Sequence, residues 1–189
     1  MLIYLHGFNS SPQSHKSQLM KSYMEQRGLG HLYACPALPN LPQEAMRLIE
    51  AELARHDPRK VTLLGSSLGG FYATWVAEKR GYRAVLIQPA VFPHIGLEAY
   101  LGPQKNLYTG EPYELTREHL AGWRELYLGG VDPERYLLLL ETGDEVLDWR
   151  QAARKYEGAR MVVRDGGDHS LQSFPEHLPR ILAFAGIPS

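Results

Sequence analysis

Three residues whose types together perform nucleophilic acyl transfer occur in this chain in the order Ser67, Asp144, His169. Ser67 lies in Gly65-Ser66-Ser67-Leu68-Gly69-Gly70. This fits G-x-S-x-G, the pattern of a serine held in a sharp strand-to-helix turn with its hydroxyl clear of the sheet. Glycine is needed two residues to either side, because side chains there would meet the neighbouring strand and helix. The same spacing selects Ser67 over Ser66. A phosphate-cradling loop is a weaker reading, since that motif needs Lys after its last Gly and Phe71 follows Gly70.

The base must follow the serine and the acid in the chain. His169, in the glycine-rich stretch Gly166-Gly167-Asp168-His169, stands where that order requires it, although a loop histidine is ordinarily just solvated. His177, further along the last helix, reads as a surface residue. Asp144 directly follows an apolar run and is the expected acid. Asp148, followed by Trp149-Arg150, reads better as a helix N-cap, and Glu145 is a lesser competitor. The backbone N–H groups of Phe8 and Leu68 are the expected donors to a tetrahedral oxyanion. His6 as a metal ligand lacks partners at ligand spacing, so neither a metal nor a cofactor is expected. Cys35 reads as a buried small apolar residue.

These residues need a scaffold that brings distant positions together. Apolar runs at Leu2–Leu5, His31–Cys35, Val61–Leu64, Ala84–Ile87, Tyr136–Leu140 and Met161–Val163 predict six strands. Between most of them, helical spacing predicts Gln13 to about Arg27, Gln43–His56, Leu68–Lys79 and Trp149–Tyr156, with Pro175–Ala185 closing the chain. Continuous apolar strands alternating with helices imply a parallel sheet covered on both faces, an α/β fold of three layers, α/β/α. Ligands in such sheets bind beyond the carboxyl ends of the strands, where all three residues fall. The stretch at about 90–133 differs, being rich in Pro, Gly and aromatics. It reads as a cap-like insertion with a helix from Thr116 to Leu128 inside a single domain of 1–189.

At 189 residues, with 44% hydrophobic and 22% charged, the chain is long enough for one well-cored domain and too apolar for disorder. The net charge of −1 gives no electrostatic footprint for nucleic acid or an anionic membrane. No apolar run is long enough to span a bilayer, and one cysteine cannot form an internal disulfide. With no signal-peptide pattern at its start, the protein is expected to be cytoplasmic.

The segments Tyr4-Leu5-His6-Gly7-Phe8-Asn9-Ser10-Ser11-Pro12, Gly65 to Trp75, Asn106-Leu107-Tyr108-Thr109-Gly110, Thr142 to Asp148 and Gly166 to His169 carry a resemblance. The chain resembles the small α/β-hydrolases of the YqiA-type esterase family nearly end to end. The resemblance implies a minimal hydrolase fold lacking the first strands of larger relatives, with Ser67, Asp144 and His169 as an esterase triad.

The expected activity is hydrolysis of carboxylic esters with short to medium acyl chains. The expected partner is a small-molecule ester or thioester, with no nucleic acid and no membrane. Tyr100, Tyr108, Tyr113 and Trp123, with Leu101 and Tyr127, are expected either to line an acyl pocket or simply to pack the cap. The rivals are an acyl-CoA thioesterase, for which Lys105, Arg117 and Arg124 would supply cations, and a non-catalytic binding module of the same fold.

Overall fold

The computed structural model describes residues 1–188. In chain order the first half runs β1 (Leu2–Leu5), α1 (His15–Glu25), β2 (Tyr33–Ala34), α2 (Pro42–Leu53), β3 (Thr62–Ser66), α3 (Leu68–Arg80) and β4 (Arg83–Ile87). Then come α4 (Pro93–Gly96), β5 (Gly102–Lys105), β6 (Pro112–Leu115) and α5 (Arg117–Glu125). The chain ends with β7 (Tyr136–Glu141), α6 (Trp149–Lys155), β8 (Arg160–Arg164) and α7 (Phe174–Ala185).

Six strands form one parallel sheet in the order β2-β1-β3-β4-β7-β8. The central strands are apolar runs because both faces are covered. Leu2 and Tyr4 point into one core with Met20 and Met24 of α1 and Phe174, Leu178, Ile181 and Leu182 of α7. Ile3 and Leu5 point into the other, with α2, α3 and α6. The two-residue period of the strand thus divides the side chains between two cores, giving the three-layer α/β/α arrangement. The chain runs from β1 out to β2 on one side, then from β3 to β4, β7 and β8 on the other. The order therefore reverses between β1 and β3, and a crevice forms at their carboxyl ends.

The predicted strand His31–Cys35 shrinks to Tyr33–Ala34, preceded by a single 3-10 turn at Gly30–Leu32. It is an edge strand, and Pro36 directly after Cys35 lacks the N–H needed to extend the ladder. The predicted helix Thr116–Leu128 is shorter, Arg117–Glu125, with Thr116 and His119 forming a reciprocal cap at its start.

Between β4 and β7 the chain leaves the sheet. An antiparallel hairpin, Gly102 opposite Leu115 and Lys105 opposite Pro112, occupies a stretch for which no strand was predicted. Its segments Gly102-Pro103-Gln104-Lys105 and Pro112-Tyr113-Glu114-Leu115 are poor in β-branched residues, so propensity gave no signal. No described helix is long and apolar enough to cross a membrane.

Asp148 does begin α6, its Oδ1 accepting the Arg150 N–H at 3.0 Å. Asp148→Ala is expected to cost about 1 kcal/mol, the usual worth of such a cap. A thermal melt should show a fall of roughly 2–4 °C for a chain of this size.

Candidate active site

Ser67 joins β3 to α3 with φ 53° and ψ −117°, a region that L-residues avoid. Its strain is held by the sheet edge. The Ser67 N–H donates to the Ile87 carbonyl at 2.9 Å, and the Ser67 carbonyl accepts from Gly70 at 2.9 Å and Ala90 at 3.0 Å. The flanking glycines have a steric cause. A Cβ on Gly69 would run into the Leu5 carbonyl oxygen, and one on Gly65 would lie 2.6 Å from the Gly69 oxygen.

Asp144 and His169 arrive from the ends of β7 and β8. His169 Nε2 lies 3.1 Å from Ser67 Oγ, and His169 Nδ1 lies 2.8 Å from Asp144 Oδ2. The other oxygen of Asp144 accepts the N–H groups of Val146 and Leu147, each at 2.8 Å. Those two bonds aim the carboxylate, whose side chain is fully buried, while the His169 side chain keeps 23% exposure. A carboxylate on Nδ1 keeps the proton there and leaves the Nε2 lone pair facing the serine hydroxyl.

The Phe8 and Leu68 amides have no hydrogen-bond acceptor among the described residues. Both line a small cleft of about 20 Å³, together with His6, Leu38, Pro39, Asn40 and Tyr72. His6 serves the loop. Burial lowers its pKa, so the ring is neutral, and its Nε2 accepts the Leu38 N–H at 2.9 Å.

The aromatic residues of the insertion separate into two groups. Trp123 is wholly buried, with Nε1 donating to the Tyr72 hydroxyl at 2.8 Å, so it presents no surface to a ligand. Of the two readings open for that residue, packing is the one realised and pocket lining is not, because its ring is core between α5 and α3. Tyr113 is half-buried and its hydroxyl is already engaged by Asn9. Tyr100 and Tyr108 are 50% and 48% exposed.

Two further expectations change. His177 is buried, its Nε2 3.1 Å from Ser173 Oγ, because its turn of α7 packs against the sheet. Cys35 is only partly buried, yet burial still raises its thiol to about 11, which leaves it protonated at neutral pH.

Sequence reasoning missed Glu141, the last residue of β7. Its carboxylate, in a residue 2% exposed, accepts three backbone amides: Asp168 at 3.0 Å, Gln172 at 2.9 Å and Ser173 at 2.8 Å. These bracket His169. Glu145, weighed above only as an acid, accepts the His169 N–H itself at 3.0 Å. Gln88, at the end of β4, donates to the carbonyls of Glu141 and Asp168. A Cβ on Gly167 would meet the Glu141 carboxylate, and that glycine is the one trace the arrangement leaves in the sequence.

Sheet order, elbow and the Asp144–His169–Ser67 arrangement together define an α/β-hydrolase fold. The fold is similar to that of a hydrolase from Agrobacterium vitis at a TM-score of 0.78 and 21% identity, covering 97% of this chain and 87% of that one. It is also similar to mouse alpha/beta hydrolase domain-containing protein 10, at 0.75 and 15%, covering 96% and 87%. A third likeness is to Est1E of Butyrivibrio proteoclasticus, solved with ferulic acid bound, at 0.67 and 14%, covering 97% and 85%. The chain belongs to the uncharacterised protein family UPF0227, whose model matches residues 1–186. A UPF0227 protein of Pectobacterium atrosepticum is 27% identical over 187 residues, 97% of this chain and 98% of that protein.

Burial works to raise the Glu141 pKa, but the Ser173 hydroxyl and the three amides outweigh it and hold the carboxyl below its ordinary 4.5. A lowered folded value means the ionised group stabilises the fold above pH 4.5, and this contribution is lost as the pH falls through the folded value. Glu141→Gln leaves one or more of these amides without an acceptor and is expected to cost about 2–3 kcal/mol at neutral pH. Melting curves across the acid range should show the gap from wild type closing below pH 4.5.

Proposed function

We propose that this protein is a serine esterase that hydrolyses carboxylic esters with short to medium acyl chains through an acyl-enzyme on Ser67. The observation that carries the reading is the unbroken hydrogen-bonded chain from Asp144 through His169 to Ser67, at 2.8 and 3.1 Å. As Ser67 Oγ bonds to the acyl carbon, its proton passes to His169 Nε2. Asp144 stabilises the imidazolium that results. The former carbonyl oxygen, now negative, accepts the free N–H groups of Phe8 and Leu68. The ester C–O bond then breaks and the alcohol leaves with the proton from His169. Water attacks the acyl-enzyme with His169 again as base, which restores Ser67 and releases the acid.

Of the cations weighed for a CoA thioester, Arg117 and Arg124 share a surface groove with Glu98 and Glu125, so that groove offers no net positive charge to phosphates.

The test is turnover of p-nitrophenyl esters from acetate to palmitate, run beside a CoA thioester of matched acyl chain. Asp144→Asn is expected to lower kcat by about 10⁴ and Ser67→Ala by about 10⁶, with the wild-type maximum among the short to medium esters. Fluorophosphonate should label wild type and Ser66→Ala but not Ser67→Ala. Folded wild-type protein that neither labels nor turns over any of these substrates would instead be a binding module.

A further inference from the structure

The turn Asn106–Gly110 has no part in the chemistry proposed above, yet it reaches the loop that carries the Phe8 amide. Asn106 builds the turn, its Oδ1 accepting the N–H groups of Tyr108 at 2.9 Å and Thr109 at 3.0 Å. Its Nδ2 donates to the Ser10 carbonyl at 2.8 Å, and the Leu107 N–H donates to the Asn9 carbonyl at 2.9 Å. From the two strands of the hairpin, the Tyr113 hydroxyl donates to Asn9 Oδ1 at 2.7 Å, while Asn9 Nδ2 donates to Gln104 Oε1 at 3.1 Å. The hairpin thus grips Asn9 and Ser10 through backbone and side chain alike.

Asn9 sits at φ +51°, a left-handed conformation that asparagine tolerates better than other non-glycine residues. It directly follows Phe8. The Phe8 ring meets Tyr100 edge-on at 6.3 Å and Trp123 at 6.4 Å, both from the same insertion. The residue that offers the free amide is therefore fixed through its side chain and through its neighbour.

We infer that the β5–β6 hairpin and its turn are a brace that aims the Phe8 N–H at the developing oxyanion, with Asn9, Asn106 and Tyr113 as positioning residues. This rests on the acyl-transfer reading above. A displaced amide binds the ester as before and fails only when the oxygen becomes negative, so the loss falls on kcat and not on KM.

The experiment compares wild type, Asn106→Ala, Tyr113→Phe and Ser67→Ala on p-nitrophenyl acetate. Rates are counted per active site by fluorophosphonate titration. An aryl trifluoromethyl ketone serves as second probe, since its adduct with Ser67 carries a negative oxygen where the oxyanion forms. In both brace variants kcat per site is expected to fall about tenfold, by comparison with removal of a whole oxyanion donor. Ketone affinity should fall by the same factor, with KM within about twofold of wild type. The acid limb of kcat/KM against pH should stay in place, because the His169–Asp144 pair is untouched. A purely structural role would lower the melting temperature and the titratable fraction without moving kcat per site. Tyr113→Phe removes a single oxygen from a half-buried side chain, and it carries the test alone if Asn106→Ala does not fold. Wild-type kcat per site and ketone affinity, or a loss confined to KM, with Ser67→Ala inactive, would overturn the brace and leave the serine mechanism standing. Full turnover in Ser67→Ala would remove the mechanism and the brace together.

Discussion

The contact between the N-terminus of α3 and the carboxyl end of β1 constrains everything around it. Gly69 lies so near the Leu5 carbonyl that any side chain there would collide with it, and Gly65 is pressed, less closely, by Gly69 and Gly70. Because helix and sheet meet this closely, the residue joining β3 to α3 has no ordinary conformation available and turns at φ 53°. A hydroxyl on that residue must project past the end of the sheet. The same approach brings the loop after β1, with the Phe8 amide, beside the first amide of α3.

Supporting groups matter as much as the reacting ones, because a base at hydrogen-bond distance acts only if its loop holds still. His169 lies in a stretch with exposed Gly166 and Gly167, both at positive φ, which alone would leave it mobile. Glu141 removes that freedom by gathering three amides onto one buried carboxylate. Thr142 adds a second lashing, donating to Asp165 Oδ1 at 2.7 Å and accepting the Gly166 N–H at 2.9 Å. Glu141 ends β7 and Thr142 follows it, both within three residues of Asp144, so acid and base are positioned by one piece of backbone.

Much of this was legible in the chain. Five of the six strands are continuous apolar runs that fold as such, and the reactive residues fall at their ends because parallel sheets leave no other place for a loop to meet a ligand. What escaped notice has a common physical form. The hairpin has no strand composition, and what the sequence cannot display is its set of bonds to Asn9 and Ser10, far away in the chain. Glu141 looks like a charged residue leaving the sheet for solvent, and its partners are backbone amides, which carry no letter in a sequence. Trp123 looks like a pocket wall because aromatic composition does not tell a ligand-facing ring from one that packs on α3.

The distribution of backbone strain joins these observations. Among the described residues, the non-glycine residues at positive φ are Asn9, Ser67, Gln88 and Leu171. They follow β1, β3, β4 and β8 respectively, so every one lies along the same edge of the sheet. Such a conformation costs on the order of 1–3 kcal/mol away from glycine, and least at Asn9, since asparagine tolerates it. Gln88 adds a buried side-chain oxygen with no partner in exchange for tying the ends of β4, β7 and the His169 loop together. Strain scattered over the molecule would need no common cause. Strain confined to the one edge where nucleophile, base and free amides converge is what a preorganised site requires, since groups already aimed at a developing charge need not reorganise when it appears.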